Sequence, residues 1–215
     1  MNFLPENLEQ YCEAHSDPEP PILKEIRRQT HLKTLYPQML CSALQGRFLA
    51  WLSRLVRPRN VLEVGTFTGY SALCLAEGLQ EGGHVYTLEA QPEYEDLIRT
   101  HLEWSGIGQK IKLIMGPAQD TLRALPCKVF DLIYLDADKE NYPKYYPILK
   151  EMLSRGGLLL VDNTLWSGKV ADSAHADPET EGIRQLNELL TSDPDFEKIL
   201  LPVRDGLTLA RRKVP

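Results

Sequence analysis

From residue 60 onward, the hydrophobic positions of the chain follow two alternating patterns. Short runs rich in Val, Ile, Leu and Tyr occupy 61–64, 84–88, 111–115, 130–135 and 158–161. Each is too short for a helix and reads as a strand. Between them, 71–79, 93–104, 118–125 and 142–153 repeat apolar residues every three or four positions with charges between, which predicts helices. A β-α repeat of this kind closes through right-handed crossovers into a parallel sheet with helices on both faces. The predicted fold class is α/β and doubly wound, with a ligand expected beyond the carboxyl ends of the strands.

The last part of the chain breaks this rhythm. After a helical stretch at 182–190, the runs 196–201 and 207–211 are separated only by Pro202-Val203-Arg204-Asp205-Gly206. That link permits an antiparallel pair but no crossover helix, so the sheet is expected to close on a reversed strand. Upstream, residues 1–57 contain two or three helical stretches, interrupted at 16–21 and at Pro37. With no internal repeat and no linker of disordered composition, 1–57 is predicted as a helical cap on the same domain as the core, 58–215.

Composition narrows the function classes. The 215 residues are 43% hydrophobic and 25% charged, enough to bury the core of one domain. Lys and Arg number 24 against 30 Asp and Glu, a net charge of −6. A general nucleic-acid binder needs a basic face, so no nucleic-acid partner is expected and small-molecule chemistry is favoured. Cys12, Cys41, Cys74 and Cys127 are scattered, without a CxxC pair or a histidine at zinc-ligand spacing. Cys74, inside Ala72-Leu73-Cys74-Leu75-Ala76, reads as core. The start lacks a basic stretch followed by an apolar one, and no run approaches about 18 apolar residues. The expectation is a cytoplasmic protein with no membrane partner.

The first strand runs into Glu63-Val64-Gly65-Thr66-Phe67-Thr68-Gly69-Tyr70-Ser71. Glycines there allow a tight turn and close approach of a ligand, although a packing turn has the same signature. Glu89 follows Gly69 by 20 residues and ends the second strand, where a carboxylate can accept both hydroxyls of a ribose. Phe67 stands where a dinucleotide site has its second glycine, and Glu63 adds negative charge that a pyrophosphate would oppose. A cationic cofactor without phosphates, S-adenosylmethionine, fits better than a nicotinamide dinucleotide. Gly116-Pro117-Ala118 offers small residues for an adenine, or simply the first turn of a helix.

Two further strand ends carry carboxylates: Asp136-Ala137-Asp138-Lys139-Glu140-Asn141-Tyr142 and Asp162-Asn163-Thr164-Leu165-Trp166. Asp136, Asp162 and the Asn163 side-chain oxygen can supply three ligands to a hard cation such as Mg²⁺, with helix capping and turn formation as the alternative. Lys139 follows Asp136 by three residues. A neighbouring dication and partial burial would lower its pKa and make it a general base.

Taken together, EVGTFTGYSAL (63–73), LDADKENY (135–142), VDNTLW (161–166) and DGLTLA (205–210) resemble the cation-dependent O-methyltransferases of the catechol and caffeoyl-CoA type and their bacterial relatives. The resemblance covers about residues 35 to 211. It implies a Rossmann-like seven-stranded sheet with the last strand antiparallel, and methyl transfer from S-adenosylmethionine to a hydroxyl of a vicinal diphenol. It also implies that Asp136, Asp162 and Asn163 bind Mg²⁺, Mn²⁺ or Ca²⁺, and that Lys139 is the base. Met39, Cys41, Glu63, Gly65, Thr66, Ser71, Glu89, Ala118, Asp136 and Asp138 match cofactor-contacting positions. Tyr142 and Trp166 are candidates for holding the acceptor ring, and a homodimer is the implied assembly. The competing readings are a protein of this fold that binds S-adenosylmethionine without catalysis or acts on a non-catechol acceptor, and a nicotinamide-dependent reductase.

Overall fold

The computed structural model describes residues 5–214. Three helices precede the sheet: α1 (Glu6–Ala14), α2 (Pro21–Lys33) and α3 (Ala43–Val56). α3 begins where the Ser42 hydroxyl accepts the Gln45 N–H at 3.2 Å, and it stops at Arg57 in the left-handed conformation. Strands and helices then alternate: β1 (Asn60–Val64), α4 (Tyr70–Ala76), β2 (His84–Glu89), α5 (Glu95–Trp104), β3 (Ile111–Met115), α6 (Ala118–Ala124), β4 (Phe130–Leu135), α7 (Tyr142–Met152) and β5 (Leu153–Asp162). α8 (Pro178–Ser192), β6 (Phe196–Leu201) and β7 (Leu207–Arg212) complete the order.

The seven strands lie in the order β3-β2-β1-β4-β5-β7-β6. β1 to β5 are parallel, while β7 runs antiparallel to both β5 and β6. The short link 202–206 therefore reverses the chain as its length requires. β4 shows how period-two alternation builds the two cores. Leu132 and Tyr134 join Ile26, Leu49 and Leu75 on one face, whereas Ile133 and Leu135 join Leu149, Ile183 and Leu186 on the other. β5 begins at Leu153, earlier than its apolar pattern indicates. Gly156-Gly157 interrupts the pattern, and the register with β4 shifts between Phe130 and Leu132.

The strand order reverses between β1 and β4, which pair in parallel with Val64 opposite Leu135. Residues leaving these two strands, Gly65 and Asp136, stand side by side at the carboxyl rim, the place where open α/β sheets bind ligands. Asp162 ends β5 on the same rim, and its register partner Leu207 opens β7 just after the 202–206 turn. Among the described residues, no helix is long and apolar enough to cross a membrane.

Candidate active site

Gly65 sets the contact between the two central strands. Its φ is +102°, and a Cβ on it would fall 1.9 Å from the Asp136 carbonyl oxygen. Only glycine allows both the conformation and the approach. The N–H groups of Gly65 and Thr66 donate to the Leu88 carbonyl at 3.0 and 3.1 Å, binding the turn to β2.

Behind this turn Glu63 is fully buried. The Thr87 hydroxyl donates to its Oε2, and Thr66 in turn donates to Thr87 at 2.5 Å. Oε1 is buried without a hydrogen-bond partner. Burial pushes the Glu63 pKa up to about 8; the Ser71 and Thr87 hydroxyls oppose this shift, and the negative charges of Asp136 and Glu89 add to it. Glu89 accepts the Phe67 N–H at 2.7 Å on Oε2 and the Gln91 N–H at 2.8 Å on Oε1. Burial still raises its pKa against those amides. Two carboxylates thus line the turn, one carrying an unmet acceptor, as a cationic ligand would require.

Ser71 lies in the first turn of α4 and Ala118 opens α6, both half-buried. The Gly116 N–H donates to the Glu89 carbonyl at 2.7 Å, which brings the 116–118 segment to the end of β2. Met39 is half exposed, whereas Cys41 is buried and its carbonyl accepts from Arg27 at 3.5 Å.

Across Gly65 lies the second cluster. Lys139 is buried, with its ammonium donating to Asp136 Oδ1 at 2.7 Å and to the Tyr142 hydroxyl at 2.8 Å. Burial works to lower its pKa, but the Asp136 charge and the Tyr142 contact prevail and hold it above the ordinary lysine value. The lowering expected from sequence rests on a neighbouring dication, whereas here the Asp136 carboxylate alone faces the ammonium at 2.7 Å. Tyr142 is fully buried, and its hydroxyl faces the Leu135 and Asp162 carbonyls at 3.4 and 3.3 Å. Its ring lies under the Lys139 ammonium, 5.0 Å from Nζ to the ring centre. Asp138 is exposed and accepts the Tyr145 hydroxyl at 2.7 Å.

Asp162 is buried, and its carboxylate is held on both sides. Oδ1 accepts the Asn163 N–H at 2.8 Å, and Oδ2 accepts the Tyr134 hydroxyl at 2.5 Å and the Gln45 amide at 2.6 Å. Burial first, then the charge of Asp136, raises its pKa. Asn163 and Trp166 both hold left-handed backbone, φ 59° and 45°, and the Trp166 indole N–H is buried without a partner. The donor set of Asp136, Asp162 and Asn163 is all oxygen and includes two mutually repelling carboxylates, which suits a hard dication. Among the described residues, no group of three or more His, Cys, Asp or Glu is arranged to hold a metal. A cation at this place would depend on the Asn163 amide oxygen as its third ligand.

Sequence reasoning missed Gln45, Tyr134 and Arg204. Arg204 donates to the Leu40 carbonyl at 2.8 Å, the Gln38 carbonyl at 3.3 Å and Gln45 Oε1 at 3.3 Å. It links the 38–41 segment to the residue that holds Asp162. No local signal marks Gln45, which reads as one polar position near the start of a helix.

A parallel sheet closed by a reversed strand, with carboxylates around its switch point, defines a Rossmann-like ligand-binding architecture. Comparison with known proteins identifies which one. The O-methyltransferase family profile matches residues 13–213. Caffeoyl-CoA O-methyltransferase of Petroselinum crispum is 37% identical over 206 residues, spanning 90% of this chain and 85% of that protein. O-methyltransferase ankF of Aspergillus thermomutatus is 34% identical over 221 residues, 96% of this chain and 92% of that one. Among solved structures, the O-methyltransferase from Bacillus cereus in complex with SAH has a TM-score of 0.90 at 32% identity, covering 96% of this chain and 97% of its own. The chain belongs to the O-methyltransferase family.

Proposed function

We propose that the protein transfers the methyl group of S-adenosylmethionine to a hydroxyl of a catechol-type acceptor, with a divalent cation, Mg²⁺ or in its place Mn²⁺ or Ca²⁺, held by Asp136, Asp162 and Asn163. The observation that carries this reading is the meeting of Asp136, buried Asp162 and buried Lys139 on one rim, directly across Gly65 from Glu63 and Glu89. It is supported by the family and by relatives whose names specify O-methyl transfer to caffeoyl-CoA.

Each half then has its own work. Glu89 offers its carboxylate to the ribose hydroxyls, and the unpartnered Oε1 of Glu63 gives a cationic cofactor an anionic neighbour. Gly65, Thr66, Ser71 and Ala118 form the surrounding wall, Met39 and Cys41 cover the methionine end, and Asp138 stands at the outer edge. A bound dication would lower the pKa of an acceptor phenol from about 10 toward neutrality. Lys139 gives up its proton to solvent as its Asp136 contact is exchanged, and its neutral amine takes the phenol proton. Asp162, locked by Gln45, Tyr134 and Asn163, keeps its carboxylate fixed while charge moves. Tyr142 and Trp166 would hold the acceptor ring. Holding the reacting atoms about 3 Å apart in line supplies much of the acceleration.

The test is methylation of a panel of catechols and CoA-linked catechols with labelled S-adenosylmethionine, with and without excess EDTA. Activity should vanish with EDTA and return with Mg²⁺. Equal rates in both conditions overturn the cation; cofactor binding with no phenol methylated overturns the acceptor. The same reading carries a homodimer built on the N-terminal cap, and sedimentation of the purified chain as a monomer is the outcome against it.

A further inference from the structure

The segment between Asn163 and α8 leaves regular structure. Asn163, Trp166 and Ser167 adopt φ values of 59°, 45° and 56°, a conformation that costs non-glycine residues free energy and persists only where surroundings enforce it. Residues 166–171 form a short 3₁₀ run broken by a kink, and no helix or strand follows until Pro178. Backbone carbonyls in such a stretch need donors from elsewhere.

One side chain on α8 supplies them. Arg184 Nε donates to the Val170 carbonyl at 3.1 Å, and Nη1 donates to the His175 carbonyl at 2.7 Å. Nη2 donates to the Lys169 carbonyl at 2.9 Å and the Asp172 carbonyl at 2.5 Å, while Nη1 also engages Glu181. A guanidinium has five N–H donors, and here five acceptors meet it. A lysine, with its point charge and no planar fork, cannot reproduce that pattern.

The clasped segment borders the site. Trp166 and Val170 pack against the same core cluster, under α7 and α8, that Ala137, the residue after Asp136, also packs on. The same helix braces two other parts of the rim. A Cβ on Gly182 would fall 2.3 Å from the Lys139 carbonyl oxygen, so α8 presses directly on that segment. Asn187 donates to the Thr164 carbonyl at 3.0 Å, just past Asp162. None of the Arg184 hydrogen bonds reaches Glu63, Gly65 or Glu89.

We propose that Arg184 is a positioning residue that fixes 166–175 as a wall of the acceptor site, setting affinity for the acceptor and leaving the cofactor site unaffected. The identity of the acceptor rests on the function proposed above; the clasp itself does not. The test compares the full chain with R184A and with the milder R184K, which keeps the charge if R184A folds poorly. Three quantities are measured: amide hydrogen exchange over 166–175, affinity for SAH by calorimetry, and KM and kcat for 3,4-dihydroxybenzoate. The expected result is faster exchange confined to 166–175 and KM raised about tenfold or more, with kcat and SAH affinity within about twofold. Added guanidinium ion should lower the KM of R184A again. Unchanged KM with unchanged exchange overturns the proposal, and so does a parallel loss of SAH affinity, which would mark a general scaffold. If the wild-type chain methylates no phenol, the catechol reading fails separately. The clasp is then judged on exchange and SAH titration: local loosening with SAH affinity kept supports it, and unchanged exchange overturns it.

Discussion

On the β1–β2 side of the rim, Glu63 and Glu89 are held by close neighbours in sequence: Thr87 is 24 residues from Glu63, and Phe67 and Gln91 are 22 and 2 residues from Glu89. On the β4–β5 side, Asp162 is held by Tyr134, 28 residues away, and by Gln45, 117 away. The first side is complete once two adjacent strands pair. The second needs α3, the 202–206 turn and α8 all docked before its carboxylates are fixed. Such a division lets one half change its ligand with little effect on the other, because few polar contacts are shared across Gly65.

The largest effect that can break this comparison comes from crossing the halves. Lys139→Ala should cut turnover by about 10²-fold or more, the usual range for a general base, while cofactor affinity is kept. Glu89→Ala should do the opposite, weakening cofactor binding about 10- to 100-fold through the loss of charged hydrogen bonds, with a smaller effect on turnover at saturation. Calorimetry and saturation kinetics on both variants read the result. If Lys139→Ala also loses the cofactor, the halves are not separable.

A smaller effect sharpens the comparison through pH. Glu63 has a folded pKa of about 8 against an ordinary value near 4.5, so the folded chain keeps a proton that the unfolded chain releases. Its contribution to stability is fully present below about pH 4.5 and is lost as pH rises through about 8. Glu63→Gln escapes that loss. In the cofactor-free protein it should be more stable than wild type by on the order of 2 kcal/mol at pH 8, with the gap closing toward pH 5. Denaturant titrations at the two pH values check it, and a gap that does not depend on pH removes Glu63 as the source. The same variant should bind the cationic cofactor more weakly, which would mark Glu63 as a carboxylate kept for function at a cost in stability.

The contrast between the halves also explains what was legible in the sequence. Alternating apolar periods gave the β-α order, and the short 202–206 link gave the reversed strand, because both follow from local geometry. Glu89, Asp136, Asp162 and Asn163 could be placed on one rim because strand ends in a parallel sheet share it. The supports of the β4–β5 side were not legible. Gln45 and Arg204 become meaningful only when segments far apart in sequence meet, and Gly182 looks like a weak point in a helix until Lys139 is found against it. The ion pair of Lys139 with Asp136 was not legible either, since a spacing of three residues does not report a 2.7 Å contact.

The missing methyl group at Gly65 acts as a ruler. A Cβ there would lie 1.9 Å from the Asp136 carbonyl oxygen, so the spacing between the Glu63 side and the Asp136 side of the rim is set by backbone touching backbone, with no adjustable side chain between. Under the function proposed above, enlarging the acceptor pocket by redesign would have to proceed outward, through 166–175. The spacing across the rim has no room to be retuned, and a chain that lengthened it by even one carbon would have to part its two central strands.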